Sequence, residues 1–242
     1  MRLDKYLLIN NLLETRSQAI YFIKSNKVRV NDSIINKPSY LLKNNDIVNL
    51  IPKNIYVSKG GYKLESFLDK INFSVKNKLI LDIGCSTGGF TNYFLTHNAS
   101  MVFAVDIAKD ILSNKLFKYD NLVYFDNFDI LNKNNYNTFK NKFDLISIDL
   151  SDTSIKNVFE FIEPILKKKG SIIALFKPHY EGKKGIVSKD DKNKLSTEFE
   201  DWIFKNTPFK LVHKVNSAER GGYNLKGNRE IFYLLKFKMK SI

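Results

Sequence analysis

The N-terminal part of this chain arranges apolar residues first with a helical period and then with a strand period. Apolar residues at positions 3, 6, 7 and 9 predict one short helix, and those at 19, 22 and 23 predict a second. Thr15 and Gln18 have the spacing of a capping box at the start of the second helix. The runs 28–30 and 46–51 predict two strands, and Pro52 follows them. We therefore expect a small α+β module over residues 1–57.

From residue 58 onward, apolar strand-like runs alternate with amphipathic segments. A helical pattern begins after a glycine pair at positions 60 and 61 and continues to residue 71. The predicted strands share short, mostly apolar runs and cover 79–83, 101–106, 121–125, 143–149, 170–176, 209–215 and 229–238. This alternation predicts an α/β domain over residues 58–242, with a mainly parallel seven-stranded sheet and helices on both faces.

Composition excludes several classes of protein. With 43% hydrophobic and 13% aromatic residues, the 242-residue chain is not disordered. No apolar run approaches the roughly 18 residues of a membrane span. The first residues lack the apolar stretch of a signal peptide, so we expect a cytoplasmic protein with no membrane partner. Cys85 is the only cysteine, which excludes a disulfide framework and a cysteine-rich zinc site, and no metal is expected.

The net charge of +14 indicates a polyanionic partner such as a nucleic acid. Lysine greatly outnumbers arginine, and asparagine, isoleucine and phenylalanine are abundant. An AT-rich genome alone produces such a mixture. Charge by itself therefore does not distinguish a nucleic-acid partner from the effect of an AT-rich genome.

The stretch 79–90 joins a buried strand to a glycine-rich turn and a helix start, an arrangement that places backbone close to a ligand. A nucleoside-triphosphate loop needs lysine after its last glycine, but Phe90 follows Gly89. A dinucleotide loop needs Gly-x-Gly-x-x-Gly, but the spacing here is Gly84-x-x-x-Gly88-Gly89. The remaining pattern begins at Asp82 and resembles the first motif of S-adenosylmethionine-dependent methyltransferases.

Polar residues also end the next two predicted strands. Asp106 takes the position that holds two ribose hydroxyls in nucleotide-type folds, and a carboxylate can accept from both. Asp126 and Asn127 follow the third strand, where they can reach an adenine edge. The expected cofactor is S-adenosylmethionine. Its candidate ligands are the loop residues and these three polar residues: Asp82, Gly84, Cys85, Ser86, Thr87, Gly88, Gly89, Phe90, Asp106, Asp126 and Asn127.

The N-terminal module resembles the alpha-L RNA-binding motif, named from a small-ribosomal-subunit protein. The matching stretches are 2–4 (RLD), 15–19 (TRSQA) and 28–31 (VRVN). This resemblance implies that the second helix and the loop after it meet folded RNA. The candidate contacts are the basic residues Arg2, Arg16, Lys24, Lys27 and Arg29. An ordinary solvated role for each of these side chains stays open.

Two kinds of methyl acceptor fit the sequence poorly. Enzymes that methylate amino groups of bases commonly carry an Asn-Pro-Pro-Tyr-like turn after the fourth strand, where this chain has Leu150-Ser151-Asp152. Methylation at a pyrimidine carbon commonly uses a cysteine nucleophile, and Cys85 lies within the cofactor loop.

Lys63, Asp149, Lys177 and Glu230 each lie beside a predicted strand end or a glycine turn. They are similar to the lysine–aspartate–lysine–glutamate set of the FtsJ-like ribose 2′-O-methyltransferases. The whole chain resembles the TlyA (hemolysin A) family of ribosomal RNA methyltransferases, through motifs at 58–64, 82–90, 149–151, 177–181 and 227–230. The resemblance implies a Rossmann-like class I methyltransferase domain after an RNA-binding domain. The implied reaction is methyl transfer to a ribose 2′-hydroxyl, of a cytidine, in ribosomal RNA or ribosomal subunits.

By the same resemblance, Lys177 is the base that takes the hydroxyl proton. A free lysine has a pKa near 10.4 and is protonated at neutral pH. We therefore expect burial or a neighbouring cation, namely Lys63, to lower the pKa of Lys177. Asp149 and Glu230 would then orient the two amines.

Several alternatives stay open. Glu219 is a rival for Glu230, and His179 is either a substrate contact or a loop histidine. The lysine runs 167–169 and 183–184 fit an RNA-binding face or a solvated one equally. The chain as a whole also fits a non-catalytic RNA-binding or ribosome-assembly factor. A membrane-active hemolysin has no support, because a strongly amphipathic basic helix is missing.

Overall fold

In the computed structural model, the chain forms two compact units, Met1–Ile55 and Tyr56–Ile242. The structure describes residues 1–52, 54–135, 137–139, 142–182, 185–220 and 227–238, with the side chains of 219 and 220 excepted. Across these residues, we find no helix with the length and apolar character needed to cross a lipid bilayer.

The first unit combines two helices with a small antiparallel sheet. Its elements are α1 (Leu3–Ile9), α2 (Arg16–Lys24), β1 (Val28–Val30), β2 (Ser33–Ile34) and β3 (Val48–Leu50). The strand order is β2-β1-β3 within the described residues. Apolar residues from both helices and from β1 are fully buried, among them Leu3, Leu7, Phe22 and Val28. The helices and β1 lie where the apolar spacing predicts them.

Two local details of the first unit differ from the prediction. Thr15 accepts a hydrogen bond from the Gln18 amide at 3.1 Å, as in a capping box, but the Gln18 side chain reaches the Glu14 amide at 3.0 Å. The strand predicted from residue 46 begins only at residue 48. Asp46 and Ile47 precede the strand in irregular structure, where the Asn31 side chain forms a hydrogen bond with each of them.

The second unit alternates strands and helices. Its helices are α3 (Lys59–Lys70), α4 (Gly89–Thr96), α5 (Phe159–Ile162), α6 (Pro178–Glu181) and α7 (Lys189–Asn206). Its strands are β4 (Leu79–Ile83), β5 (Met101–Val105), β6 (Leu122–Phe125), β7 (Phe143–Ile148), β8 (Leu166–Phe176), β9 (Phe209–Arg220) and β10 (Arg229–Phe237). Short 3₁₀ turns cover Asn114–Leu116, Lys133–Asn135 and Ile155–Val158.

The described strands of the second unit form a seven-stranded sheet in the order β6-β5-β4-β7-β8-β10-β9. The pairings from β6 to β8 are parallel, whereas β10 pairs antiparallel with both β8 and β9. The predicted mainly parallel sheet is therefore confirmed. The chain runs outward from β4 to β5 and β6 and then returns to place β7 on the other side of β4. A topological switch point, the usual ligand position in such sheets, thus lies between β4 and β7.

Helices cover both faces of this sheet, as predicted. Successive side chains of a strand point to opposite faces, and β10 shows this directly. Phe232 stacks on Phe67 of α3 with ring centroids 4.6 Å apart, and the next residue, Tyr233, contacts Phe199 of α7 at 5.2 Å. The core therefore has one layer on each side of the sheet.

β8 begins earlier than predicted, at Leu166 rather than at residue 170. The lysine run 167–169 consequently lies within a strand, with all three residues exposed. The strand register advances from Leu166 to Ser171 while the partner strand advances only from Phe143 to Leu145. The lysines thus form an irregular bulge, which accommodates charged residues at the start of a buried strand.

Candidate active site

The sheet topology brings four predicted residues to one edge. Asp149 directly follows β7, and Lys177 directly follows the parallel neighbour β8. β10 runs antiparallel to β8, with Ile231 opposite Phe176, so Glu230 at its start lies at the same edge. Lys63 comes from the first half of α3. The structure therefore assembles side chains from four elements that are distant in sequence.

Lys63 and Glu230 form a buried ion pair. Lys63 Nζ donates to Glu230 Oε2 at 2.5 Å, and the two side chains are only 6% and 4% exposed. A buried charge is stable only when it is paired and hydrogen-bonded. Lys63 was predicted to be a cation beside Lys177, but its charge is paired with the Glu230 carboxylate.

Lys177 and Asp149 form a second ion pair that is more accessible. Lys177 Nζ lies 2.7 Å from Asp149 Oδ1, and their side chains are 13% and 24% exposed. Ser151 Oγ lies 3.5 Å from the same amine. This pair is therefore the part of the assembly that a substrate can reach.

The pKa of Lys177 moves in the direction opposite to the one expected from sequence. Burial lowers it, but the charge and hydrogen bond of Asp149 raise it more, with a smaller contribution from Glu230, so the net pKa lies above the ordinary value. Lys177 is therefore an ammonium at neutral pH in this state.

His179 lies in α6, two residues after Lys177, and is half-buried. Its Nδ1 is buried, and no hydrogen-bond partner for this atom occurs in the described part of the chain. Burial and the neighbouring lysines lower the pKa of His179 despite the opposing charges of Glu230 and Asp152. A neutral imidazole thus stands beside the ion pairs.

The glycine loop lies at the switch point, where two glycines are required by geometry. Gly84 has a φ of +76°, and a Cβ there would lie 2.6 Å from the carbonyl oxygen of Asp149. Gly88 has a φ of +92°, and a Cβ there would overlap Leu112 and Leu116. Only glycine adopts this backbone at little cost. The loop therefore lies directly against the backbone of a site residue.

Asp82 lies near the end of β4, just before this loop. It is 0% exposed, and its carboxylate accepts from Thr91 Oγ1 at 2.6 Å and from Ser147 Oγ at 2.7 Å. The Thr91 backbone amide also bonds to it, so Asp82 caps the start of α4. Burial raises the pKa of Asp82 to about 6, and these hydrogen bonds only partly oppose the shift. Its position is that of a support for the loop.

The other loop residues divide into buried and exposed groups. Cys85 and Phe90 are buried, and burial together with nearby carboxylates raises the pKa of the Cys85 thiol. The Phe90 ring packs against the ring of Phe232 in β10. Ser86 and Thr87, at the tip of the loop, are exposed. The tip is therefore the part that can contact a ligand.

Asp106, after β5, joins the loop through its carboxylate. Its oxygens accept from the amides of Ser86 and Ala108, each at 2.8 Å, and the residue is partly exposed. Each carboxylate oxygen has a further lone pair, so a diol can still be bound. Ile107, the next residue, is a strongly exposed apolar side chain that sequence reasoning missed.

The acid and amide after β6 extend this row of polar strand ends. Asp126 is partly exposed and lies 3.5 Å from the amide of Asp110, and Asn127 is exposed with a positive φ. The carboxyl ends of β4, β5 and β6 thus present a glycine loop and two accessible carboxylates in one row. This arrangement suits a nucleoside-containing ligand.

Two glycine pairs bring α3 and α4 into close contact. A Cβ on Gly89 would overlap Ser58 Oγ and lie 3.0 Å from both Gly60 Cα and Gly61 N. A Cβ on Gly61 would overlap the Tyr56 ring. The glycines of the 58–64 motif therefore let the helix that carries Lys63 start against the glycine loop.

Comparison with known proteins agrees with this geometry. Residues 56–235 match the FtsJ-like methyltransferase family, and residues 1–48 match the S4 domain. The chain belongs to the FtsJ-like methyltransferase family. The recognition made from the sequence motifs is confirmed.

Relatives and solved structures extend this result over nearly the whole chain. Hemolysin A of Brachyspira hyodysenteriae is 33% identical, and the alignment covers 98% of this chain and 99% of that protein. The 23S rRNA (cytidine-2′-O)-methyltransferase TlyA of Campylobacter jejuni is 35% identical over 74% of this chain and 70% of its own. A solved structure from Streptococcus thermophilus, named as a hemolysin, has a TM-score of 0.70 at 28% identity and covers 98% of this chain and 88% of its own.

In this family member, the S4 unit leaves most of the predicted RNA-contact residues exposed. Arg16, Lys24 and Arg29 are exposed. Arg2 is exposed too, but its guanidinium makes a bidentate pair with Asp4, at 2.9 and 2.8 Å. Lys27 is half-buried, and its Nζ donates to the Tyr21 hydroxyl at 2.7 Å.

Two sequence-level alternatives fall outside the described residues. The side chain of Glu219, the rival for Glu230, is one of them, and the lysine run 183–184 is the other.

Sequence reasoning missed residues that support the site from behind. Ser147 of β7 donates to Asp82, Glu181 accepts from the amide of Ile155 after β7, and Asn228 accepts from the amide of Val187 before α7. Only Glu181 and Asn228 stood in a recognised motif. No periodicity or spacing marks Ser147, because its partner comes from another strand.

Proposed function

We propose that this FtsJ-like methyltransferase transfers a methyl group from S-adenosylmethionine to the ribose 2′-hydroxyl of a cytidine in ribosomal RNA. The observation that carries the proposal is the pairing of Lys63 with Glu230 and of Lys177 with Asp149 beside a glycine loop. The identity of 35% to a protein named as a 23S rRNA (cytidine-2′-O)-methyltransferase supports the choice of substrate. In this proposal, residues 1–57 bind RNA and residues 58–242 catalyse transfer.

The residues at the carboxyl ends of β4, β5 and β6 fit the proposed cofactor. The exposed loop tip at Ser86 and Thr87 would hold its methionine part. Asp106 would bind the ribose hydroxyls, with the exposed apolar Ile107 beside it for a base. Asp126 and Asn127 would reach the adenine edge. Three further predicted residues would support the loop from the protein interior, since all of them are buried: Asp82, Cys85 and Phe90.

When bound, S-adenosylmethionine supplies an electrophilic methyl group on a positively charged sulfur. Lys177, in its neutral form, would take the proton of the 2′-hydroxyl as this oxygen accepts the methyl group, and the donor would leave as a neutral thioether. Asp149 orients the Lys177 amine, and Glu230 holds Lys63 at the edge of the site.

The protonation of Lys177 predicts how the reaction depends on pH. Asp149 raises the pKa of Lys177, so the neutral base is a minor form at pH 7 and increases as pH rises toward that pKa. We therefore expect the rate of methyl transfer to increase about tenfold per pH unit above neutrality. A single-turnover rate that is independent of pH over this range would exclude Lys177 as the base.

The decisive experiment compares Lys177→Ala with Lys78→Ala, a lysine that precedes β4 at the opposite edge of the sheet. Ribosomal RNA and ribosomal subunits would be incubated with S-adenosylmethionine, digested and analysed for 2′-O-methylcytidine. We expect Lys177→Ala to lose methylation and keep RNA binding, and Lys78→Ala to keep both. Normal turnover by Lys177→Ala would refute the assignment of the base.

The competing function, a non-catalytic RNA-binding factor, makes a different prediction. Such a protein has no need of a methyl donor, so calorimetry would detect no binding of S-adenosylmethionine. The accessible carboxylate of Asp106 beside an open loop tip argues for binding. We expect Asp106→Ala to abolish the calorimetric signal without changing RNA affinity.

A further inference from the structure

Glu181 is an acidic residue of the 177–181 motif with no role in the reaction described above. It is the last residue of α6, four positions after Lys177. We propose that Glu181 is a positioning residue, which fixes the Lys177–Asp149 pair by joining the two chain segments that carry its partners. The inference rests on the proposed function for its activity readout only.

The joining contacts are two hydrogen bonds to one carboxylate. Glu181 Oε2 accepts from Ser154 Oγ at 2.5 Å, and Oε1 accepts from the Ile155 amide at 2.8 Å. Ser154 and Ile155 begin the 3₁₀ turn that follows Asp149 along the chain. Ser154 also caps this turn by accepting from the Lys156 amide at 3.2 Å. The segment after β7 and the segment after β8 are therefore tied together five residues after Asp149 and four residues after Lys177.

The segment with Lys177 needs such a contact. α6 has four residues, a single turn, and isolated turns of this length have little stability of their own. Hydrogen bonds to an ionised carboxylate are stronger than those between neutral groups. The tie therefore stabilises the single helical turn that directly follows Lys177.

The contacts of Glu181 favour a structural role over a direct catalytic one. Its two oxygens already accept from Ser154 and Ile155. Burial raises the pKa of the Glu181 carboxyl, and the hydrogen bonds from Ser154 and Ile155 and the charge of Lys156 oppose this shift. Glu181 therefore acts through Lys177 rather than on a substrate.

The test uses Glu181→Ala, Glu181→Gln and Ser154→Ala in the full-length protein, with Glu163→Gln as control. Glu163 is an exposed glutamate of the same unit at the end of α5. Two quantities would be measured: kcat and KM for RNA methylation, and the pKa of Lys177. The latter comes from competitive amine labelling across pH with peptide mapping, and it requires no catalytic activity.

We expect Glu181→Ala to lower kcat about 10- to 100-fold with little change in KM, because small displacements of a reacting group have effects of this size. The pKa of Lys177 should fall, since a loosened pair loses the raising effect of Asp149. Glu181→Gln should fall between Glu181→Ala and the wild type, because the amide oxygen can still accept from Ile155. Ser154→Ala should also be intermediate.

If the Lys177 pKa and kcat are both unchanged in Glu181→Gln and Ser154→Ala, the inference about Glu181 is wrong. The proposed function still stands in that case, as long as the wild-type protein methylates RNA. Conversely, a wild-type protein that methylates no RNA would refute the proposed function, and the labelling result would still decide the role of Glu181. If Glu181→Ala fails to fold, the other two variants decide alone.

Discussion

The ion pair between Lys63 and Glu230 permits a quantitative test, because both side chains are almost completely buried. Replacing Glu230 by leucine leaves the Lys63 ammonium in the protein interior without its carboxylate. At an effective dielectric constant of ~20, unit charges 2.5 Å apart attract by about 7 kcal/mol. Desolvation of the two ions offsets much of this, and breaking a buried pair from one side costs about 3–5 kcal/mol.

The free energy of deprotonating an unpaired lysine gives a second estimate of this cost. A lysine that loses its partner can release its proton, and for an ordinary lysine at pH 7 this costs about 4.6 kcal/mol. We therefore expect Glu230→Leu to lower the free energy of unfolding by about 3–5 kcal/mol. For a unit of this size, the midpoint of thermal unfolding should fall by roughly 6–20 °C.

The double variant Lys63→Met/Glu230→Leu separates charge from packing. Removing both charges of a buried pair is often neutral or stabilising, so stability should return to within about 1 kcal/mol of the wild type. Methyl transfer should remain absent, because both substitutions remove proposed site residues. A protein that is stable but inactive would show that the pair is kept for function.

Unfolding in urea can be followed by the fluorescence of Trp202, the only tryptophan, which lies in α7 and reports on the second unit. The matched control is Glu160→Leu. It breaks the Lys133–Glu160 pair, whose side chains are 76% and 70% exposed, and should cost less than about 1 kcal/mol. A loss in Glu230→Leu no larger than in this control would refute the reasoning. A double variant as unstable as Glu230→Leu would place the cost in packing.

Three further predictions concern the glycine loop and its support. Burial raises the pKa of Asp82 to about 6 from an unfolded value of 3.8, so the folded state binds more protons in this window. Its stability should therefore fall by roughly 2 kcal/mol from pH 4 to pH 6. Urea unfolding of Asp82→Asn against the wild type isolates this effect, and parallel pH profiles would contradict it. Gly88 and Gly185 both have a φ of +92°, but only at Gly88 would an added Cβ have neighbouring atoms within 4 Å. Gly185→Ala should therefore cost about 1 kcal/mol and Gly88→Ala clearly more, whereas equal costs in urea unfolding would show that backbone strain alone matters. Cys85 is buried with a raised thiol pKa, so native protein should react with a thiol reagent far more slowly than denatured protein, and equal rates would show an accessible thiol.

The sheet and the position of the site were predictable because they depend on local patterns. The apolar runs predicted all seven strands of the second unit to within a few residues, apart from the irregular starts and ends of β8 and β9. Parallel strands place their carboxyl ends together, so Asp106, Asp149 and Lys177 had to share an edge. Glu230 joins them because β10 runs the opposite way, which no single run of residues reveals.

The pairing within the site was not predictable, because sequence order does not say which amine meets which carboxylate. Lys63 was expected beside Lys177 as a cation, yet it lies against Glu230. The sign of the Lys177 pKa shift depends on the 2.7 Å distance to Asp149, since burial alone acts in the other direction. Distances of this kind depend on tertiary packing, and no periodic pattern in the sequence reports them.

The position of β10 also sets the order in which the protein can become active during synthesis. β10 follows β9 along the chain but lies between β8 and β9, and its Leu234 pairs with Ile173 about 60 residues earlier. Lys63 and Glu230 are 167 residues apart. At translation rates of about 5–20 residues per second, Lys63 leaves the ribosome roughly 10–30 s before its partner. A nascent chain therefore contains its glycine loop long before β10 emerges with Glu230, so the buried Lys63–Glu230 pair is among the last contacts of the second unit to form.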